Sequence, residues 1–498
     1  MSELAREVDV DRRRLYEVRE EAREALVGRF DISGEEPQVV EDEAGGYRTE
    51  DKVLFYLPVT VGYLKRAIIA LRVVTPASIR DIVALLVILF GQSAAWSFGK
   101  VQAVLTEAGE RAEQFSRGVE LSSIQGFVAD EMFSQNRPVL AGLDIETQYL
   151  FLAQVRESRT GEEWKAVLQK LQLDQHLNPK RVVKDAGTGL ASGIEAAFPG
   201  IEQRDDMFHA VLKFGKARFY LERRALGAIS NEYECEEKRG KGADEAARRR
   251  AGQEWREAKD HAARAIDRFD AFEKLCIEAE QLLKLTQPHT GDLYLAEEVS
   301  SGLKRIGLAM MEIRGDHARN AGRYLKNRAP GLALHLQALR QELLKVAEAA
   351  GGEALTRAAT RLYQAVLDAK SKTGPEPRRQ AATEELRVAI RNLATEADGN
   401  PQRVQQAMKV VFPVLDRRER ASSAIENFNS VLRPYLVVHK NVEQNFLNLF
   451  QYYWNMRTRE WGRRKGTSAY EQLTDARVAD WLETLGYPRP MANAPSAN

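Results

Sequence analysis

Three short segments, far apart in the chain, each set a carboxylate at the end or edge of an apolar run. They are Val128-Ala129-Asp130-Glu131, Val182-Val183-Lys184-Asp185 and Ser423-Ala424-Ile425-Glu426-Asn427. A charge inside an apolar strand must be met by a partner or a metal ion. Two carboxylates brought together repel and raise each other's pKa unless a cation lies between them, and Mg²⁺, hard and oxygen-seeking, suits that place. Asp130, Asp185 and Glu426 are therefore candidate catalytic residues and candidate ligands for two divalent ions, an arrangement that serves phosphoryl transfer. Each acid alone also has a plainer reading. Asp130 is then a structural strand-end carboxylate, Asp185 a turn residue or helix N-cap, and Glu426 the acid of a capping box opened by Ser422 or Ser423. Asp144, at a hairpin end, is the rival to Asp130 as first acid.

The neighbours of Glu426 point the same way. Glu426, Asn429, Ser430 and Arg433 fall at i, i+3, i+4 and i+7, one face of a helix. A carboxylate, an amide, a hydroxyl and a guanidinium are poor core material. The Arg433 guanidinium could hold a phosphate, and Asn429 could orient a backbone oxygen.

These residues need a scaffold, and the hydrophobic periodicity supplies one. Residues 53–115 read as helical, with Thr75-Pro76 opening one helix, Gly91-Gln92-Ser93 breaking it and a second helix following. Helix, short turn, helix is the DNA-binding helix-turn-helix pattern, and equally that of two ordinary packed helices. The period then changes from 3.6 to 2. Gly126–Phe133, Pro138–Leu143 and Tyr149–Val155 read as strands, with Asp144-Ile145-Glu146-Thr147 turning between the last two. A helix over Gly161–Leu173, a strand over Arg181–Lys184, a Gly-rich helix over Gly187–Phe198 and a short strand over Ile201–Arg204 follow. From about Val211 to Leu415 the pattern is all helical, with breaks near Gly240-Lys241-Gly242, Gln287-Pro288, Ala329-Pro330 and Gly374-Pro375. There Leu332, Leu336, Leu339, Leu343 and Val346 form a heptad-like seam, read as part of an intramolecular bundle. Helices over Ser422–Val431 and Val442–Asn455 close the pattern.

The expected fold is mixed, α+β with α/β character: a five-stranded mixed sheet interrupted by a large all-α insertion domain and preceded by a helical N-terminal DNA-binding region. The segments are 1–52, charged, with a helix near Arg12 to Leu26; 53–120, helical; 121–210, the first part of the core; 211–415, the insertion; 416–485, the last catalytic helix and C-terminal helices; and 486–498, a tail.

Composition narrows the function classes. The chain has 498 residues, 44% hydrophobic and 29% charged, with a net charge of +1, so overall charge does not mark a nucleic-acid binder. Two cysteines, Cys235 and Cys276, lie outside metal-ligand spacing and fit a reducing cytoplasm. The N-terminus is too charged for a signal peptide, and the apolar run Ile82–Phe90 is too short to span a bilayer, so no membrane is expected. Charge is local instead: residues 416–465 carry ten basic residues against five acids. Arg417, Arg418, Arg457, Arg463, Arg464 and Lys465 are the candidate phosphate contacts, with Trp461 a candidate base-stacking residue and Trp454 core. Three phosphate contacts by Arg463, Arg464 and Lys465 would cost roughly 0.9 log units of affinity each per decade of salt.

Taken together, the strand and helix order is the RNase H-like one, and the three acidic blocks resemble those of DDE-type transposases of bacterial insertion sequences. The blocks are Ala129-Asp130-Glu131-Met132-Phe133, Val183-Lys184-Asp185-Ala186-Gly187 and the run from Ser423 to Pro434. Asp206-Met207-Phe208-His209 is similar to the Cys/Asp-x-x-His signature of Mutator-like elements, and follows the second acid where that family carries it. Tyr453-Trp454-Asn455-Met456-Arg457 and Lys465-Gly466-Thr467-Ser468-Ala469-Tyr470 are looser matches, with Met456 and Ala469 departing from the Asn-His-Arg and Gly-x-Ser-Pro patterns.

The resemblance covers roughly residues 75 to 485 and implies an RNase H-like catalytic core whose insertion domain fills the long interval before Glu426. It also implies dependence on Mg²⁺ or Mn²⁺, cleavage of double-stranded DNA at transposon ends, strand transfer to target DNA, and a homo-oligomer working at the nucleoid. Asp206 and His209 become near-site candidates. His209 reads equally as a core histidine. The competing readings are a nuclease or resolvase that cuts without joining, and a DNA-binding derivative without catalysis.

Overall fold

The computed structural model describes residues 58–185, 187–241, 243–287, 290–370, 376–416, 423–439, 442–462 and 464–489. Contacts divide the chain into Val59–Arg489 and a second unit of Met1–Pro58 with Pro490–Asn498. The first unit is described below. The expected helix near Arg12 to Leu26 and residues 490–498 of the tail lie outside the described residues.

Helices α1 (Val61–Val74), α2 (Ile79–Phe90) and α3 (Phe98–Arg117) come first. The start of α2 differs from the sequence expectation. Thr75 is the C-cap of α1, and Ser78 opens α2 through a reciprocal capping box with Asp81. Two side-chain bonds to orphan backbone N–H groups outweigh a proline at the first turn. These helices bury Ile68, Ile69, Ile82, Leu86, Val104 and Ala108 in one core with Leu449, Tyr452, Met456, Leu482 and Leu485. The region assigned from sequence to 53–120 thus shares its core with the C-terminal helices.

Next come strands β1 (Gly126–Ser134), β2 (Arg137–Asp144) and β3 (Leu150–Val155), helix α4 (Gly161–Gln175), β4 (Arg181–Lys184), α5 (Thr188–Ala197) and β5 (Glu202–Asp205). The sheet order is β3-β2-β1-β4-β5. β1–β2 and β2–β3 pair antiparallel, while β1–β4 and β4–β5 pair parallel. The fold is therefore a mixed five-stranded sheet with many helices, as the periodicity indicates.

The helical stretch holds α6 (Met207–Lys238), α7 (Glu245–Leu282), α8 (Ala296–Glu312), α9 (Asp316–Val346), α10 (Glu353–Lys370), α11 (Glu376–Glu396) and α12 (Pro401–Asp416). The chain ends in α13 (Ser423–Val438), α14 (Gln444–Met456), α15 (Ala469–Thr474) and α16 (Trp481–Thr484). Among the described residues no helix is long and apolar enough to cross a membrane.

Strand alternation sorts the sheet's side chains into two layers. Phe127, Ala129, Leu140, Phe151 and Val182 pack against Trp164 and Leu168 of α4 and Leu190 and Ile194 of α5. Val128, Ala141, Leu143 and Val183 pack on the other face against Ile425, Phe428 and Leu432 of α13 and Phe450 and Trp454 of α14. The α13 helix therefore lies over β1 although it comes hundreds of residues later in the chain.

The insertion buries its own core, and Leu332, Leu336, Leu339 and Leu343 of the expected seam lie inside it, with Val346 partly buried against it. The expected break at Ala329-Pro330 does not occur, because α9 runs through Pro330. Packing holds the helix there. A side-chain Cβ on Gly331 would stand 2.0 Å from Asp205 Oδ2, so α9 crosses the end of β5 closely. Asp205 Oδ1 accepts from Arg328 Nη1 at 3.1 Å and from Lys184 Nζ at 3.4 Å, tying α9 to the sheet. Gly331→Val should separate α9 from β5 and cost about 1–3 kcal/mol, read by urea denaturation. The expected break at Gly374-Pro375 and the Ser422 and Ser423 capping side chains fall outside the described residues.

Candidate active site

The β1–β4 register builds the site. Val128 pairs with Val183 and Ala129 with Lys184, so the next positions along the two strands are Asp130 and Asp185. With a two-residue period, Asp130 shares its face with Val128, and Asp185 shares it with Val183. Both Val128 and Val183 face α13. Glu426, in the first turn of α13, completes the set. Asp130, Asp185, Glu426, His209, Asn429 and Arg433 all line one cavity of about 360 Å³. Four segments from distant parts of the chain thus meet at one cavity.

Asp130 is almost fully buried. Its Oδ1 accepts from the Glu131 N–H at 2.8 Å, and its Oδ2 accepts from Asn429 Nδ2 at 2.6 Å. Burial pushes its pKa up to about 6, and the charges of Asp185 and Glu426 add to the rise, while the two hydrogen bonds oppose it. Asp185 sits directly after β4, and its Oδ1 accepts from the Gly187 N–H at 2.7 Å, an Asx turn that leads into α5. The turn reading of Asp185 and its place in the cavity hold at once.

Asp206 and His209 support the site from behind. Asp206 is the N-cap of α6 and is 0% exposed. Its Oδ1 accepts from the Phe208 N–H at 2.9 Å, and its Oδ2 accepts from His209 Nδ1 at 2.5 Å. That bond leaves the His209 Nε2 edge facing Glu426 Oε1 at 3.8 Å. The Asp206 hydrogen bond raises the His209 pKa against an opposing burial effect, and the charges of Asp206, Asp130 and Asp185 raise it further. Asp206→Ala removes an N-cap and the imidazole's anchor together, so it should lower stability by about 1–2 kcal/mol in a denaturation titration.

Some expectations are revised. Ser430 is exposed, and its Oγ donates to the Asn427 carbonyl, so the working face of α13 is Glu426, Asn429 and Arg433. Asp144, the rival first acid, caps the β2–β3 turn by accepting from the Thr147 N–H and hydroxyl at 2.8 and 2.6 Å. It pairs with Phe127, three residues and roughly 10 Å along β1 from Asp130. Glu131 was not singled out from the sequence, yet it lines the cavity, held by Trp164 Nε1 at 2.9 Å and Arg159 Nη1 at 3.0 Å. Its position beside Asp130 on a strand assigns its side chain to the opposite face, and periodicity gave no sign of the Trp164 and Arg159 tether.

Three of the described basic residues of this segment are tied into the fold. Arg464 donates to the Ile145 and Glu146 carbonyls of the β2–β3 turn. Arg459 donates to the Gln148 carbonyl at 3.5 Å, and burial pushes its guanidinium down to about 10. The Arg457 guanidinium lies 4.2 Å from the centre of the buried Trp454 ring. Lys465 is exposed beside the exposed Trp461. Arg417, Arg418 and Arg463 lie outside the described residues.

The donor set favours a hard cation. It offers carboxylate oxygens from Asp130, Asp185 and Glu426, one of them with a raised pKa. Asn429 Oδ1 adds a buried oxygen with no hydrogen-bond partner. As the side chains stand, among the described residues no three His, Cys, Asp or Glu groups are drawn tightly enough together to hold an ion. The chain matches no model of a known protein family and no curated protein.

Proposed function

We propose that this chain is a metal-dependent polynucleotidyl transferase of the DDE transposase type, acting on double-stranded DNA at transposon ends and at a target. The observation that carries the reading is the meeting of Asp130, Asp185 and Glu426 in one cavity. The strand order β3-β2-β1-β4-β5 supports an RNase H-like core, with acids on the first strand, after the fourth, and on a late helix over the same face. His209 at the cavity wall, held by the buried Asp206 three residues before it, supports the Mutator-like resemblance.

Asp130, Asp185 and Glu426 would hold the Mg²⁺ or Mn²⁺ ions. Bound there, divalent ions supply Lewis-acid activation of an attacking hydroxyl and charge for the departing oxygen. Asn429 fixes the Asp130 carboxylate. Arg433 offers a guanidinium to a phosphate entering the cavity. His209, oriented by Asp206, presents Nε2 toward Glu426. The work is done at the nucleoid by a homo-oligomer.

The test is incubation of the full chain with the terminal sequences of its element and Mn²⁺. Strand-joined products support the reading. Nicked ends without joining identify a nuclease or resolvase, and binding without cleavage identifies a non-catalytic DNA-binding derivative.

A further inference from the structure

Helix α6 has two apolar faces, and only one is covered. Ala210, Phe214, Ala217, Leu221, Ala225 and Ala228 are buried on the inner face. Leu212, Phe219, Leu226 and Tyr233 recur every seven residues on roughly the opposite side, at 100° per residue. They are 39%, 59%, 60% and 64% exposed. Phe208 and Val211 extend the strip toward the helix start, where an apolar cavity of about 380 Å³ opens between Phe208 and Phe219. A seven-residue apolar repeat is the period at which two helices stay in register as they supercoil.

Charge along α6 says which partner fits. Lys213, Lys216, Arg218, Arg223 and Arg224 all precede Ser230, while Glu232, Glu234, Glu236 and Glu237 all follow it. Glu222 and Lys238 are the exceptions. Arg218 is taken up by Glu273 and Glu280 of α7. An identical helix laid antiparallel sets the basic half against the acidic half at both ends. A parallel one sets like charge on like.

We propose that α6 is a self-association surface, and that two copies of this chain pair through antiparallel α6 helices interleaving Leu212, Phe219, Leu226 and Tyr233. The inference does not depend on the chemistry of the carboxylate cavity. It does set the spacing of two such cavities: His209 lies near the start of each α6, so the pair stands roughly 40 Å apart along the helix direction.

Sedimentation velocity of the full chain, free of DNA, tests this. At micromolar concentration the wild type should sediment at twice the 56.1 kDa chain mass. Phe219→Glu with Leu226→Glu should sediment at the single-chain mass with unchanged circular dichroism. Lys216→Glu should weaken the dimer about tenfold, and Lys216→Glu with Glu234→Lys should restore it, because the pair is exchanged across the interface. These two positions are exposed on the helix flank, so the exchange reads out even where the apolar double variant misfolds. A monomeric wild type overturns the proposal, as does a dimer indifferent to the apolar variants. That includes the case in which residues 1–57 cover the strip. Failure of the exchange to restore the dimer overturns the antiparallel polarity.

Discussion

Asp130→Ala, Asp185→Ala and Glu426→Ala should each lower DNA cleavage by at least about 10³-fold and leave DNA binding within a few-fold of wild type. Divalent ions stabilise developing charge by several kcal/mol, and each 1.4 kcal/mol is about tenfold in rate. Each side chain lines the same cavity, so loss of any one would remove a ligand from the proposed ion site. Glu426→Ala is the cleanest case. Among the described residues its carboxylate has one close ion-pair neighbour, the His209 ring at 3.8 Å, so it does little for the fold. Asp185→Ala also removes the turn bond to Gly187. Asp185→Asn keeps an acceptor there and should be as inactive. Full cleavage by Glu426→Ala, measured on end-labelled DNA, would remove the third acid from the account.

A second large effect concerns pH. Without a bound cation, burial pushes the Asp130 pKa up to about 6 in the fold, against 3.8 for an ordinary aspartate. Between those values the folded state binds more protons than the unfolded state, so stability falls as pH rises, and the full deficit is present above pH 6. Two pH units correspond to something on the order of 2–3 kcal/mol, an upper figure for a carboxylate so deeply buried. His209 acts in the same direction: its raised pKa gives stability present below 6.5 and lost as pH rises through the folded value. Chelator-treated protein should therefore lose stability from pH 4 to 8.

In Asp130→Asn the fall between pH 4 and 6 should vanish, whatever constant offset the changed hydrogen bonds impose. Mg²⁺ should then stabilise the wild type at pH 7.5, by about 2.7 kcal/mol at a hundredfold excess over its Kd, and leave Asp130→Asn nearly unmoved. Guanidinium denaturation across the pH series reads both effects. An equal pH slope in the two proteins would mean that Asp130 is not held in a dry, acidic cluster.

The sheet was largely legible because its signals are local. Gly126–Ser134 and Arg181–Lys184 carry apolar runs between turn residues, the all-polar Glu202–Asp205 follows Ile201, and their edges fall within a residue or two of expectation. The site was legible because strand alternation and helix spacing place Asp130, Asp185 and Glu426 once the strand order is known. What stayed hidden depends on contacts between distant segments. Pro330 reads as a helix break in isolation, and only the seat of Gly331 against Asp205 explains why α9 continues. Arg464 reads as a phosphate contact by charge, yet it donates to the Ile145 and Glu146 carbonyls. Ser430 has the right spacing for the cavity, but the nearby Asn427 carbonyl captures its hydroxyl.

Anomalous diffraction from crystals grown with Mn²⁺ tests the central claim most directly. The account predicts one or two strong peaks bounded by the carboxylates of Asp130, Asp185 and Glu426, with Asn429 still holding Asp130, and their loss in Glu426→Ala. Peaks elsewhere on the protein, with this cavity empty at saturating Mn²⁺, would contradict it.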